Sequence, residues 1–151
     1  MKSCDIFTVD SGYLVFTHSV TTYGAAVSMG PYFKVEPSTD EAELGATILR
    51  ALAESREEVP HPNLSALERQ LLAFAGYRSW RAFQRDVRAG ATVAHDGRAV
   101  LIIPYESGPQ ESFVPMDDRT TRCEAEAAIL GKRILETIGP TGTDRFDRHQ
   151  S

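Results

Sequence analysis

A chain of 151 residues that is 42% hydrophobic and 25% charged has the size and composition of one ordinary soluble domain, which argues against disorder. It holds no apolar run of about eighteen residues, so no membrane span is expected. The opening residues MKSCDIFTVDSG place Asp5 where a secretory signal would stay apolar. Cys4 and Cys123 lack CxxC or Cys/His ligand spacing and read as reduced thiols of a cytoplasmic protein, with no metal and no cofactor expected.

The net charge of −5 is unevenly spread. Residues Gly76 to Ile103 carry +3, from arginines 78, 81, 85, 88 and 98 against Asp86 and Asp96, so the remainder carries −8. Val35 to Glu58 has seven acids against Arg50 and Arg56, and Pro104 to Asp118 has four acids and no base. Such tracts repel phosphates and favour a basic partner.

Taken in order, CDIFTV at 4–9 and YLVFTHS at 13–19 predict a hairpin turning at Asp10-Ser11-Gly12. Gly24, Gly30 and Pro31 interrupt the stretch from Thr21 to Pro37, and residues 32–35 can form a third strand. A helix is expected over 39–57, capped by Ser38 with Glu41, its apolar side formed by Leu44, Ile48, Leu49 and Leu52. A second runs over 64–75, capped by Asn63 or Ser65 and closed by Gly76. A third, over 79–88, starts at Ser79 and presents Trp80, Phe83 and Val87. Ala91 to His95 and Arg98 to Tyr105 predict a hairpin through Asp96-Gly97 of type I′. The apolar run Val100–Ile103 predicts a strand buried on both faces, with pairing that weakens at Pro104. A short strand at 112–114 and a last helix over 121–138, opened by Thr121 with Glu124, complete the domain at 1–140; residues 141–151 read as a flexible tail. The predicted class is α+β, a mostly antiparallel sheet packed by about four helices. Leu44-Gly45-x-x-Ile48-Leu49 recurs as Leu130-Gly131-x-x-Ile134-Leu135, and a glycine inside each helix marks close backbone approach to a sheet or another helix.

No metalloprotease, nucleophile-elbow, phosphate-loop or dinucleotide fingerprint is present. His95 beside Glu106 or Glu111 could do acid–base work, but no nucleophile or second base accompanies it, so an exposed turn histidine is favoured. Arg78, Arg81, Arg85 and Arg88 beside Trp80 could suggest a nucleic-acid face, which the acidic remainder disfavours.

The N-terminal hairpin, Leu44-Gly45-x-x-Ile48 with Ala51-Leu52-x-x-Ser55, Ser79-Trp80-x-x-Phe83, Ile102-Ile103-Pro104 and Leu130-Gly131 together resemble the immunity proteins of bacterial contact-dependent growth inhibition systems, over roughly residues 5–138. The resemblance implies a cytoplasmic, non-enzymatic inhibitor that binds the C-terminal toxin domain of a cognate CdiA-type exoprotein, often a basic nuclease, by stoichiometric blocking. It brings no catalytic residues. Charge and expected exposure point to Tyr105, Glu106, Glu111, Asp117 and Asp118 as the toxin-facing surface, with Glu36, Asp40, Glu41 and Glu43 as second choice. A regulatory or nucleic-acid-associated module, or a small enzyme using His95, are the alternatives.

Overall fold

The computed structural model describes residues 1–109 and 112–138. Its elements are β1 (Lys2–Val9), β2 (Gly12–Val20), β3 (Ala26–Val35), α1 (Glu41–Ala53), α2 (Leu64–Ala75), α3 (Trp80–Asp86), β4 (Ala89–His95), β5 (Val100–Ser107), β6 (Phe113–Pro115), a 3₁₀ turn (Asp117–Arg119), β7 (Thr121–Cys123) and α4 (Ala127–Ile138). The strands form one antiparallel seven-stranded sheet in the order β3-β2-β1-β4-β5-β6, with β7 also paired to β5. The expected α+β class is what the chain adopts. The expected tail beyond residue 140 lies outside the described residues.

Side chains alternate across a strand, so the two faces of the sheet supply two cores. Cys4 and Ile6 of β1, Tyr13 and Val15 of β2, Val93 of β4 and Val100 and Ile102 of β5 face α1 and α4, whose Leu44, Ile48, Leu130 and Ile134 are fully buried. The opposite face sends Phe7, Val9, Leu14 and Phe16 to α2 and α3, where Leu71, Leu72 and Phe83 meet them. Phe83 is 0% exposed and packs against Phe7, Tyr77 and Trp80 with ring centroids 5.3, 5.4 and 5.1 Å away. Truncating a fully buried phenylalanine removes its transfer energy and leaves a cavity. Phe83→Ala should therefore cost about 3–5 kcal/mol, read as a lower urea midpoint at unchanged slope.

The repeated Leu-Gly-x-x-Ile-Leu segments meet each other. A Cβ built on Gly45 would stand 1.8 Å from the Ala127 carbonyl oxygen, and one on Gly131 would stand 1.7 Å from that of Glu41. Each glycine thus lies against the carbonyl four residues before the other, and α1 and α4 touch backbone to backbone.

Several local expectations are corrected. The cap of α1 is Asp40, not Ser38: its Oδ1 accepts the Glu43 N–H at 2.7 Å, and the helix starts two residues later than expected. Asn63 caps α2, Gly76 closes it in the left-handed region, and Ser79 caps α3, as predicted. Thr121 does not open α4. Residues Thr121–Cys123 pair with Val100–Ile102 as β7, and α4 begins at Ala127, where the Glu126 carboxylate accepts the Ile129 N–H at 2.8 Å. The loop after β4 is four residues long, since His95 pairs with Val100. Gly97 takes φ +94° but Asp96 does not adopt positive φ, so a type I′ turn is ruled out. The Asp96 carboxylate instead accepts the Arg98 and Ala99 N–H groups at 2.8 and 2.9 Å. The Gly30-Pro31 interruption falls inside β3, where a bulge opposite residues 16–18 of β2 absorbs it. On β5, Val100 and Ile102 are buried, but Leu101 and Ile103 are only half-buried, because α2 and α3 do not reach over them.

Candidate functional site

Pairing between β4 and β5 ends at Ala91 opposite Pro104, the residue without an N–H to donate. Beyond it, Tyr105–Ser107 continues with β6 alone, forming a two-stranded arm in which Glu106 lies opposite Val114 and Ser107 opposite Phe113. Gly108 N–H closes the arm's tip on the Ser112 carbonyl at 2.8 Å, and Met116 N–H returns to the Pro104 carbonyl at 2.8 Å. The 3₁₀ turn then carries Asp117 and Asp118.

Of the residues expected on an acidic binding edge, Glu106, Asp117 and Asp118 are exposed on this arm and the turn after it. Among the described residues none of these carboxylates has a cationic partner. Glu111 lies outside the described residues. Tyr105 is half-buried. Its ring stacks on Phe7 at 5.9 Å with 7° between planes, and its hydroxyl donates to Asp5 Oδ1 at 2.8 Å. A cavity of about 320 Å³ opens beneath the arm, lined by Gly90, Pro104, Tyr105, Met116, Arg119 and Thr137. The second acidic group, Glu36, Asp40, Glu41 and Glu43, is also exposed, with Asp40 occupied as a helix cap and Glu43 reached by the Thr39 hydroxyl at 3.3 Å.

His95 and Glu106 are not brought together. His95 pairs with Val100, and Glu106 lies six residues further along β5, about 20 Å at the rise of a strand. His95 Nδ1 accepts the Gly97 N–H of its own loop at 3.1 Å. Arg78, Arg81, Arg85 and Arg88 are exposed, and the Arg88 guanidinium is paired with Asp10 of the β1–β2 turn.

The sheet face that carries α2 and α3 also contains a polar network that the motifs and charge tracts of the sequence do not announce. Cross-strand neighbours Ser28, His18, Ser3, Ala94, Leu101 and Arg122 line up in one row over β3, β2, β1, β4, β5 and β7. The next row brings Asp5 beside Thr92. His18 Nε2 lies 2.9 Å from Asp5 Oδ2, and its Nδ1 shares a hydrogen bond with the Ser3 hydroxyl at 3.0 Å. Asp5 Oδ1 stands within hydrogen-bond distance of the Tyr105 hydroxyl at 2.8 Å and of the Thr92 hydroxyl at 2.9 Å, and those two hydroxyls also face each other; with one proton on each hydroxyl, two of the three contacts are hydrogen bonds at any moment. One signal does point to it: Ser3 and Asp5 are polar at the alternate positions that continue as Phe7 and Val9. A carboxylate there, on a central strand, needs partners.

Burial pushes the His18 pKa down, but the hydrogen bond and negative charge of Asp5 outweigh it, and the net direction is upward from 6.5. A raised folded value means that this contribution to stability is fully present below pH 6.5 and is lost as pH rises through the folded value. Asp5→Ala removes the opposing influence and leaves burial. The His18 value should then fall below the ordinary range, read from its imidazole proton shifts during an NMR titration, and stability should drop by about 1–3 kcal/mol for the lost partners. A His18 value that stays raised in the variant sinks this assignment.

The Tyr105 hydroxyl is held protonated, by burial first and then by the charge of Asp5. Burial likewise raises the Cys4 thiol, with Asp5 adding to it. Burial raises Cys123 too, which sits in β7 and not in a helix's first turn. No described helix is long and apolar enough to cross a membrane.

No protein-family profile matches this chain, and no curated protein matches it in sequence. Solved structures do match in fold. A chain of the CdiA-CT/CdiI toxin and immunity complex from Yersinia pseudotuberculosis superposes with a TM-score of 0.71 at 13% identity, over 90% of this chain and 94% of that one. A protein of unknown function from Neisseria meningitidis superposes with a TM-score of 0.69 at 18% identity, over 87% of this chain and 89% of that one. The fold is therefore shared, nearly end to end, with a component of a toxin and immunity complex.

Proposed function

We propose that this protein is a cytoplasmic immunity protein of the contact-dependent growth inhibition type. It binds the C-terminal toxin domain of a cognate CdiA-type exoprotein and neutralises it by stoichiometric blocking, with no chemistry of its own. The observation that carries the reading is the fold likeness to a toxin and immunity complex over 90% of this chain, which agrees with the Leu44-Gly45 to Leu130-Gly131 motif pattern. The toxin-facing surface is the acidic arm and following turn at Tyr105, Glu106, Asp117 and Asp118, together with Glu111 of the same tract of sequence, and Glu36, Asp40, Glu41 and Glu43 are next in rank. A basic, nuclease-type toxin domain suits the exposed carboxylates of Glu106, Asp117 and Asp118, which have no cation of their own among the described residues.

The direct experiment is protection from toxicity. The C-terminal domain encoded by the adjacent upstream reading frame is expressed in a bacterial host with and without this protein. Growth restored by co-expression, together with co-purification at equal stoichiometry, supports the proposal. Equal inhibition in both strains rejects it.

A further inference from the structure

The arm formed by Tyr105–Ser107 and Phe113–Pro115 is a two-stranded ribbon, a unit that is marginal in water without an anchor. Among the described residues its anchors to the body include the Tyr105 ring stacked on Phe7. Phe113 packs among Phe7, Trp80 and Phe83, Met116 N–H returns to Pro104, and the Tyr105 hydroxyl bonds to Asp5 and Thr92. Asp5 is the hub of the last anchor, and its other oxygen is taken by His18. The side chains of Asp5 and His18 are only 14% and 13% exposed. The carboxylate therefore has little water of its own, and His18 is the cation that balances it.

Among the described residues, the charged and titratable groups on the surrounding elements are placed as follows. Lys2 of β1 holds its ammonium on the Ser55 carbonyl at 3.0 Å, and Glu57 after α1 is paired with the N-terminal amine at 2.9 Å. Arg56 of that same segment is exposed, with its N–H on the Ser19 hydroxyl. His95 of β4 turns to its own loop, and Arg122 of β7 pairs with Asp96 at 3.0 Å. β3 places neutral Ser28 opposite His18, with Glu68 of α2 beyond it. Tyr105 of β5 is neutral.

From this arrangement we infer that the Asp5–His18 pair is a pH-sensitive latch on the β5–β6 arm, closed while His18 carries its proton and loosened when it does not. Loss of that proton leaves a largely buried carboxylate that keeps hydrogen bonds from the neutral imidazole Nε2–H and the hydroxyls but has no cation to balance its charge. Water or a rotated Asp5 then competes with Tyr105, and the arm loses an anchor. The raised His18 value places the change above pH 6.5. Each pKa unit of linkage shifts the opening equilibrium about tenfold.

Amide hydrogen exchange on the free protein from pH 6 to 9, corrected for intrinsic exchange rates, tests the latch. Protection of the arm's amides at 105–107 and 113–114 should fall as pH rises through that window. In His18→Gln, which keeps an N–H for Asp5 but no charge, protection should be low and flat. In Tyr105→Phe, which keeps the stacked ring but not the hydroxyl, it should also be low and flat. A flat wild-type profile, or a variant that keeps the wild-type slope, overturns the proposal. The experiment contains no partner, so its outcome is independent of whether the arm meets a toxin.

Discussion

Replacing Gly131 with alanine should cost this protein about 3 kcal/mol of stability, although the same exchange inside an unencumbered helix gains about 1 kcal/mol. The added methyl has nowhere to go. It would stand 1.7 Å from the Glu41 carbonyl oxygen, a backbone atom that cannot rotate aside, so α4 and α1 must separate. Leu44, Ile48, Leu130 and Ile134, all 0% exposed, then lose contact along the whole seam. For a chain of this size the loss corresponds to a fall in Tm of about 10 °C. Gly45→Ala meets the Ala127 carbonyl at 1.8 Å and should cost about as much. The double variant should be less destabilised than the sum of the singles, because the first methyl already opens the gap the second one needs. Additive costs, or a neutral Gly131→Ala, would falsify the reciprocal contact.

Close backbone approach at these two glycines was legible in the sequence because its cause is local, whereas the element approached, each helix by the other, was not. Two glycines inside apolar stripes, each flanked by Leu and Ile at the same offsets, have few explanations besides close backbone approach. Six of the seven strands, β3 only over its last four residues, and two of the four helix caps were legible for similar reasons, since alternation and capping chemistry act over a few residues. The failures came where neighbours in space outvoted neighbours in sequence. Thr121-Arg122-Cys123 carries a helix-opening pattern, yet the open edge of β5 offered it a ladder, and pairing with Val100–Ile102 prevailed. Asp96-Gly97 matches a type I′ turn, yet the aspartate's own carboxylate captured two N–H groups of the loop instead.

The candidate site divides along the same line. Exposure of Glu106, Asp117 and Asp118 follows from charge in a loop-rich tract, which composition reports. The burial of Tyr105 does not. Its partner Asp5 is 100 residues away in sequence, and only the order β1-β4-β5 brings Asp5, Thr92 and Tyr105 together. The pair of Asp5 with His18 depends likewise on the register of β1 against β2. Composition and spacing mark an acidic edge but not the network that holds it.

Charge on that edge can be tested separately from its anchoring. Reversing Glu106, Asp117 and Asp118 to lysine together should slow association with a basic toxin domain by about 10- to 1000-fold at low salt, because steering follows the summed field. Exposed carboxylates contribute little to this protein's own stability, so the variant's urea midpoint should stay close to that of the wild type. The penalty should shrink as ionic strength rises and the Debye length falls to about 8 Å at physiological salt. The same reversal at Glu36, Glu41 and Glu43 is the comparison, and Asp40 is left in place because it caps α1. If the arm is the contact surface, its triple variant loses both association rate and protection in co-expression, while the α1 variant keeps both. If the α1 variant fails and the arm variant protects fully, the ranking of the two surfaces is reversed. The immunity reading itself would survive that reversal, because it rests on the fold and not on which acidic face docks.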